Sequence, residues 1–394
     1  GVIPEDWEVV KIKEATTYVD YRGKTPIKTE NGIFLVTAKN IKQGFIDYQA
    51  SSEFVSEIEY HEIMRRGIPK IGDVLITTEA PLGNVAQIDQ ESIALAQRVI
   101  KFRAKKNVKN DFLKHYFLSN RFQSYLYRMA IGTTVLGIKG KELHNMLIPL
   151  PSLKEQEKIV EILTTWDEAI TKQEELIKAK ELQKKGLMQK LLSGEVRFRE
   201  FGSEALASQD GTKVPFPSDW EEVRLGEIGE FKKGTAFAIA NLKEGNIPVI
   251  AGGKEPAYYH NEYNRIGKTI TVSSSGASAG FINYFEEPIF VSDSFSIKGK
   301  QNISNIKYLF FFLSLIQNKI FSLQSGGAQP HIYPKDLQKL HIKLPPLPEQ
   351  QKIAEVLSLA DDEINLLQNE LVELKLQKKA LMQKLLTGKV RVKV

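Results

Sequence analysis

The sequence predicts an α+β protein: two pseudo-symmetric α/β bodies separated by two long antiparallel helices that form a coiled coil. Three observations predict it. The chain repeats itself, each repeat ends in a long heptad stretch, and each repeat begins with short strands and an aromatic-rich helix. At 394 residues with 42% hydrophobic residues, the chain has the length for two to four domains and enough apolar surface to bury a core.

The repeat is plain in the residues. Leu150–Arg197 reads LPSLKEQEKIVEIL…LQKKGLMQKLLSGEVR, and Leu344–Arg391 reads LPPLPEQQKIAEVL…LQKKALMQKLLTGKVR, an ungapped offset of 194 (344 minus 150). The same offset sets Gly132 against Gly326, Ile138 against Ile332, Lys141 against Lys335 and Leu143 against Leu337. A second match opens each half, Pro4-Glu5-Asp6-Trp7-Glu8 against Pro217-Ser218-Asp219-Trp220-Glu221, now offset by 213. The order is therefore body 1–148, helix 149–198, body 199–341, helix 342–394.

The first body contains two strand-like runs, Val74–Thr77 and Val99–Phe102. Asp111–Met129 carries Phe112, Tyr116, Phe117, Phe122 and Leu126 at helical spacing, a stripe expected in a core rather than stacked on a ligand. Asp6-Trp7 and Asp219-Trp220 each place a tryptophan where it would anchor a first strand. Polar loops punctuate this body at Arg22–Thr25, Lys39-Asn40, Thr77-Thr78, Gln97-Arg98 and Gly132–Thr134, with Lys139 just beyond.

The first helix has a seam of Ile159, Leu163, Trp166, Ile170, Gln173, Ile177, Lys180, Lys184, Leu187 and Leu191. The second body offers strands at Ile270–Val272 and Ile289–Val291. Its helix carries Ile306, Phe310, Phe311 and Ile320. Its polar loops are Lys232–Thr235, Ser273–Gly276, Ser292-Asp293 and Gly326–Gln329, the last running on to His331 and Tyr333. The second helix repeats the heptad seam at Ile353, Leu357, Ala360, Ile364, Leu367, Leu371, Leu374, Lys378, Leu381 and Leu385. The lysines at 184 and 378 read as solvated edges of that seam. Pro348 suits a first helical turn, and Gly194 and Gly388 suit the stop. Each helix should run to some 38 residues, about 57 Å at 1.5 Å per residue.

Lys, Arg, Ser, Thr, Asn and Gln are the side chains that reach phosphates and base edges. The candidate DNA-binding set is Lys24, Thr25, Lys39, Asn40, Thr77, Thr78, Gln97, Arg98, Thr133, Thr134, Lys139, Lys232, Lys233, Thr235, Ser273, Ser274, Ser275, Ser292, Gln329, His331 and Tyr333. The candidate helix-pair packing set is Ile159, Leu163, Trp166, Ile170, Ile177, Leu187, Leu191, Ile353, Leu357, Ile364, Leu371, Leu381 and Leu385.

Other chemistries lack their signatures. The net charge of +6 is compatible with nucleic acid without demanding it. With no cysteine there is no disulfide, thiolate metal site or cysteine nucleophile. No run of about 18 apolar residues crosses a membrane. With no basic-then-apolar leader, a cytoplasmic protein is the simplest reading. Gly23-Lys24-Thr25 and Gly267-Lys268-Thr269 lack the earlier glycine of a phosphate-binding loop, Tyr18 and Glu262 standing in its place. There is no G-x-G-x-x-G, no H-E-x-x-H, no histidine set at metal-ligand spacing and no [NDS]-P-P-[YFW] run.

On these residues the chain resembles the DNA-specificity subunit of type I restriction-modification systems. The resemblance covers nearly the whole length. It rests on the P-L-P-x-L-x-E-Q-x-K-I entrance at Pro149–Ile159, where Lys343 replaces the first proline in the second copy, and on the L-M-Q-K-L-L-[ST]-G exit. It rests also on GTTVLGIKGKEL at Gly132–Leu143, TTEAPLGNVA at Thr77–Ala86 and ALAQRV at Ala94–Val99. The resemblance implies two target-recognition domains, each reading one half of a split DNA site, with the helices setting the gap and docking methyltransferase subunits. It implies a non-catalytic subunit without cofactor of its own. S-adenosylmethionine would serve two methyltransferase partners that modify adenine N6, and ATP and Mg²⁺ would serve restriction/translocase partners. A 57 Å rod would bound the separation of the readers at roughly 17 base pairs. The competing expectation is a duplicated coiled-coil scaffold that binds proteins, which does not account for polar, basic loops at similar places in both bodies.

Overall fold

The computed structural model of the chain describes residues 3–21, 25–202 and 217–393. These form two compact units, Gly1–Glu174 with Asn369–Val394, and Glu175–Gln368. Each unit holds one body together with part of both long helices.

In the first unit, strand Glu8–Lys11 pairs antiparallel with Leu147–Leu150 and closes the body at its base. Above it lies a four-stranded antiparallel sheet in the order Thr16–Asp20, Val99–Ala104, Val74–Thr78, Leu82–Gln87. Every residue of Val74–Thr78 is buried, as a β-branched central strand covered on both faces should be. A smaller sheet is ordered Lys28–Thr29, Phe54–Val55, Ile33–Val36, Ala94–Leu95, its last pair parallel. The aromatic stretch expected as one helix from Asp111 to Met129 is two, Asn110–Leu118 and Asn120–Met129. Ser119 breaks it: its backbone is extended, and its hydroxyl accepts the Phe122 N–H. Phe112, Phe117, Phe122 and Leu126 are wholly inaccessible, which places the aromatic stripe in the core.

The second unit repeats the plan. Glu221–Arg224 pairs with His341–Leu344. The larger sheet is ordered Gly229–Lys233, Ser294–Gly299, Thr269–Ser273, Ile282–Phe285, and the smaller one Tyr258–His260, Ile247–Ile250, Phe290–Val291, again with a parallel last pair. Of the expected strand Ile289–Val291, only Phe290–Val291 joins the ladder, because the backbone of Ile289 bonds to Arg265 instead. The helix from Ile306 is likewise two, Ile306–Leu315 and Gln317–Phe321.

The long helices span Leu153–Ser193, 41 residues, and Leu347–Leu385, 39 residues. Gly194 (φ +76°) and Gly388 (φ +69°) turn the chain just past their ends. Within the first unit the side chains of Asp167, Gln173 and Glu174 bond those of Lys378, Glu370 and Lys375. Within the second, Lys180 and Lys184 bond Glu363 and Asp361. Along each unit the partner's number falls overall, from 378 at Asp167 to 375 at Glu174 and from 363 at Lys180 to 361 at Lys184, so the helices run antiparallel. The seam residues named from sequence are buried or half-buried. Ile159 and Leu163 continue into the first body's core beside Met382 and Leu385, and Leu191 into the second's beside Ile353 and Leu357. The two seam lysines are not solvated edges. Lys378 pairs with Asp167 and Lys184 with Asp361, one ion pair repeated at the 194-residue offset.

A clasp joins each body to the helices. In the first unit the Trp7 indole donates to Glu155 (3.1 Å), and Arg391 forks onto both Glu155 and Asp6. In the second, Trp220 donates to Glu349 (3.0 Å), and Arg197 forks onto Glu349 and Asp219. The next residue is also spoken for. Gln156 accepts from the Lys109 N–H and donates to the Asn107 and Pro151 carbonyls. Gln350 accepts from the Asn305 N–H and donates to the Ile303 and Pro345 carbonyls. The repeated Glu-Gln of the helix entrance is thus a structural fastening, and the tryptophans anchor the strands through the helix.

Candidate nucleic-acid interface

Sheet register decides where the polar loops go. In the first unit Asp20 faces Ile100, Thr77 faces Val99 and Leu82 faces Thr78, so the loops leaving these strands share one end of the sheet. Thr78 N–H donates to the Arg98 carbonyl, the Thr78 carbonyl accepts the Ile138 N–H, and Gly137 bridges both Glu79 and Ile131. Segments far apart in sequence therefore meet there. Thr25 is exposed and accepts from Gln97 Nε2 (3.2 Å). Arg98 is exposed, in the left-handed region at φ +69°, and pairs with Glu79 at 2.8 Å. Thr133, Thr134 and Lys139 are exposed on or beside the turn that Gly132 opens at φ +117°.

The second unit gathers its loops at the same end of its sheet. Lys233 faces Phe295, Ser273 faces Ser294 and Val272 faces Ile282. His331 bridges Ser275 and Ser325, as Gly137 does for Glu79 and Ile131 in the first unit. Lys232, Lys233, Thr235 and Gln329 are exposed, and Ser274, Ser292 and His331 are half-buried. Tyr333 is 45% exposed; it stacks near the His331 ring and lies under Lys335 Nζ.

Several candidates are spent on the fold. Asn40 is fully buried: it accepts from Thr37 N–H and hydroxyl and donates to the Asp47 and Ser51 carbonyls. Thr77 accepts the Asn84 N–H, and Thr78 donates to the Arg98 carbonyl, both from buried positions. Ser273 donates to the Gly253 carbonyl, and Ser275 donates to Asp293. These side chains hold the loops; the exposed neighbours face solvent. Lys39 is exposed on the loop that Asn40 braces. Lys24 lies outside the described residues.

Arg265 escaped the sequence reading, since it sits in no glycine-rich loop. It is 6% exposed, and its guanidinium donates to Ser296 Oγ and to the carbonyls of Asn264, Lys232 and Lys233. Burial without a carboxylate among these partners draws its pKa down. The fixed positive charge beneath Lys232-Lys233 adds to the basic character of that sheet end. Among the described residues no cluster of His, Asp or Glu is placed to hold a metal ion, and no helix is long and apolar enough to cross a membrane.

Comparison with known proteins gives a single answer. The family model for the type I restriction modification DNA specificity domain matches residues 4–181 and 217–376. A putative type I restriction enzyme MjaX specificity subunit from Methanocaldococcus jannaschii is 29% identical, covering 100% of this chain and 96% of that protein. The MjaVIII specificity subunit of the same organism is 26% identical over 99% of this chain and 94% of that one. The crystal structure of the type I restriction-modification S subunit from M. genitalium matches with a TM-score of 0.64 at 21% identity, over 97% of this chain and 96% of that chain.

Proposed function

Because the chain belongs to the type I restriction-modification DNA-specificity family, its two matched regions being two such domains, we propose that each unit's sheet end reads one half of a split DNA site. The observation that carries this reading is the convergence, in both units, of sequence-distant polar and basic loops on the same end of an equivalent sheet. Phosphates are met by Lys232, Lys233, Lys139 and Arg98, and base edges by the exposed Thr133, Thr134, Gln329 and Tyr333. The buried Asn40, Thr77, Thr78, Ser273 and Ser275 position those contacts without making them. The two long helices set the gap between the half-sites and dock two methyltransferase subunits. Restriction/translocase subunits join that assembly on double-stranded DNA in the cytoplasm. Catalysis belongs to the partners: adenine N6 methylation with S-adenosylmethionine, and translocation and cleavage with ATP and Mg²⁺. This subunit supplies the address.

The test is co-purification with the methyltransferase subunits, then selection from random-sequence DNA. The reading expects a split motif with a fixed gap, recovered only when this chain is present. Recovery of no motif, or failure to co-purify, would favour a protein-binding scaffold.

A further inference from the structure

We propose that the loop between strands Ile33–Val36 and Phe54–Val55, through Phe45 at its tip, is a further base-reading element of the first unit that contacts a thymine methyl group. The inference rests on the reading that this unit binds DNA. Phe45 is 58% exposed, and its ring packs against no other ring among the described residues. A single exposed phenylalanine is ordinary on a floppy loop; this one is held out by a braced backbone. Its stem residues Ile41 and Ile46 bridge each other and are buried in the core. The Lys42 N–H donates to the Phe45 carbonyl at 3.0 Å. Gly44 sits at φ +102° with open space where a side chain would be.

The loop is also locked to the sheet. Gly44 N–H donates to the Val85 carbonyl (2.7 Å), Gln43 to the Gly83 carbonyl (3.2 Å), and Asn84 back to the Ile41 carbonyl (2.7 Å). The strand so gripped is the edge strand Leu82–Gln87, whose first residue faces Thr78 at the end where the candidate loops converge. Asn40 completes the brace from inside, and Lys39 and Lys42 flank the tip. A large apolar ring on a pre-ordered loop loses little conformational freedom on binding, and beside lysines it suits the thymine 5-methyl in a major groove. The equivalent loop of the second unit, Ala251–Ala257, has no aromatic residue and carries Lys254 instead. The effect should therefore be confined to one half-site.

The experiment maps N6-methyladenine in cells whose complete methyltransferase complex carries Phe45→Ala, against the wild-type complex. Discrimination at one T·A position of one half-site should fall about tenfold, with the other half and the gap unchanged. An unchanged motif, or methylation lost evenly with the motif intact, would overturn the proposal. A second measurement needs no variant. The wild-type complex acts on DNA with 2′-deoxyuridine replacing thymine, position by position, in that half-site. Methylation rate should fall severalfold at one position, and equal rates throughout would overturn the thymine contact. A wild-type complex that marks no split motif would instead fail the underlying reading.

Discussion

Asn40 and Lys39 are neighbours in one polar loop, yet the fold turns one fully inward and the other to solvent. Sequence shows that such a loop is polar; it does not show which polar group closes a backbone bond, because that depends on partners as remote as Ser51 or Arg98. Lys232 and Lys233 belong to the exposed class. The variant Lys233→Ala should weaken DNA binding by the assembled complex evenly across sequences and flatten its log–log salt slope by about one. A changed motif in selection experiments would contradict a phosphate contact. His115 is a different case. It is fully buried, neither ring nitrogen has a hydrogen-bond partner among the described residues, and desolvation, helped by Lys114 and Lys378, holds its pKa down to about 3. Below pH 6.5 the unfolded chain binds a proton that the folded chain refuses, so stability falls as pH drops from about 6.5 toward 3. At pH 5 the loss is about 2 kcal/mol. Melting from pH 7 to 5 should show a shallower decline in His115→Leu, and parallel slopes for variant and wild type would refute it.

The elements divide by the range of the forces that make them. Heptad periodicity is local, so the presence of two long helices is legible in the sequence, though their ends lie several residues inside the spans it suggests. The pairing of Lys184 and Lys378 with aspartates is not legible, because each partner lies in the other copy's helix. The aromatic spacing marks a helix but not its break, since one hydroxyl at Ser119 is enough to divide it. The clasp explains why two copies retain the Asp-Trp pair, the Glu of the helix entrance and the arginine past the helix end, which meet in one bonded cluster, while the adjoining Gln fastens a second loop to the same helix turn. The second clasp is the more deeply set, with Arg197 11% exposed against 42% for Arg391. Glu349→Ala leaves the Trp220 indole without its acceptor and strips Arg197 of its buried partner. We expect a loss of about 2–4 kcal/mol in the second unit and a smaller one for Glu155→Ala in the first. Urea unfolding followed by tryptophan fluorescence would read this order, and the reverse order would count against the clasp. Both Asp6 and Asp219 are held below the usual carboxylate range by arginine hydrogen bonds. Their share of the stability is full above pH about 4 and disappears only below it.

For the whole molecule, duplication was the most informative feature of the sequence. Two copies keep their fastenings and helices while the loops at the sheet ends differ, as two readers of unlike half-sites would. Adding seven residues to both long helices in register should lengthen the gap in the recognised site and leave both half-sites unchanged. An unaltered gap would mean that something other than the helices measures it. The clasp also brings Asp6 and Arg391 together. Linking the chain across this pair and reopening it at about Ser208, which lies outside the described residues, should preserve folding, read by circular dichroism. The most direct test of the account is a genome-wide map of N6-methyladenine in cells with the full system, with and without this chain. Loss of one split motif with a fixed gap is the predicted result. Persistence of every methylated motif in its absence would contradict the assignment of the chain as the reader.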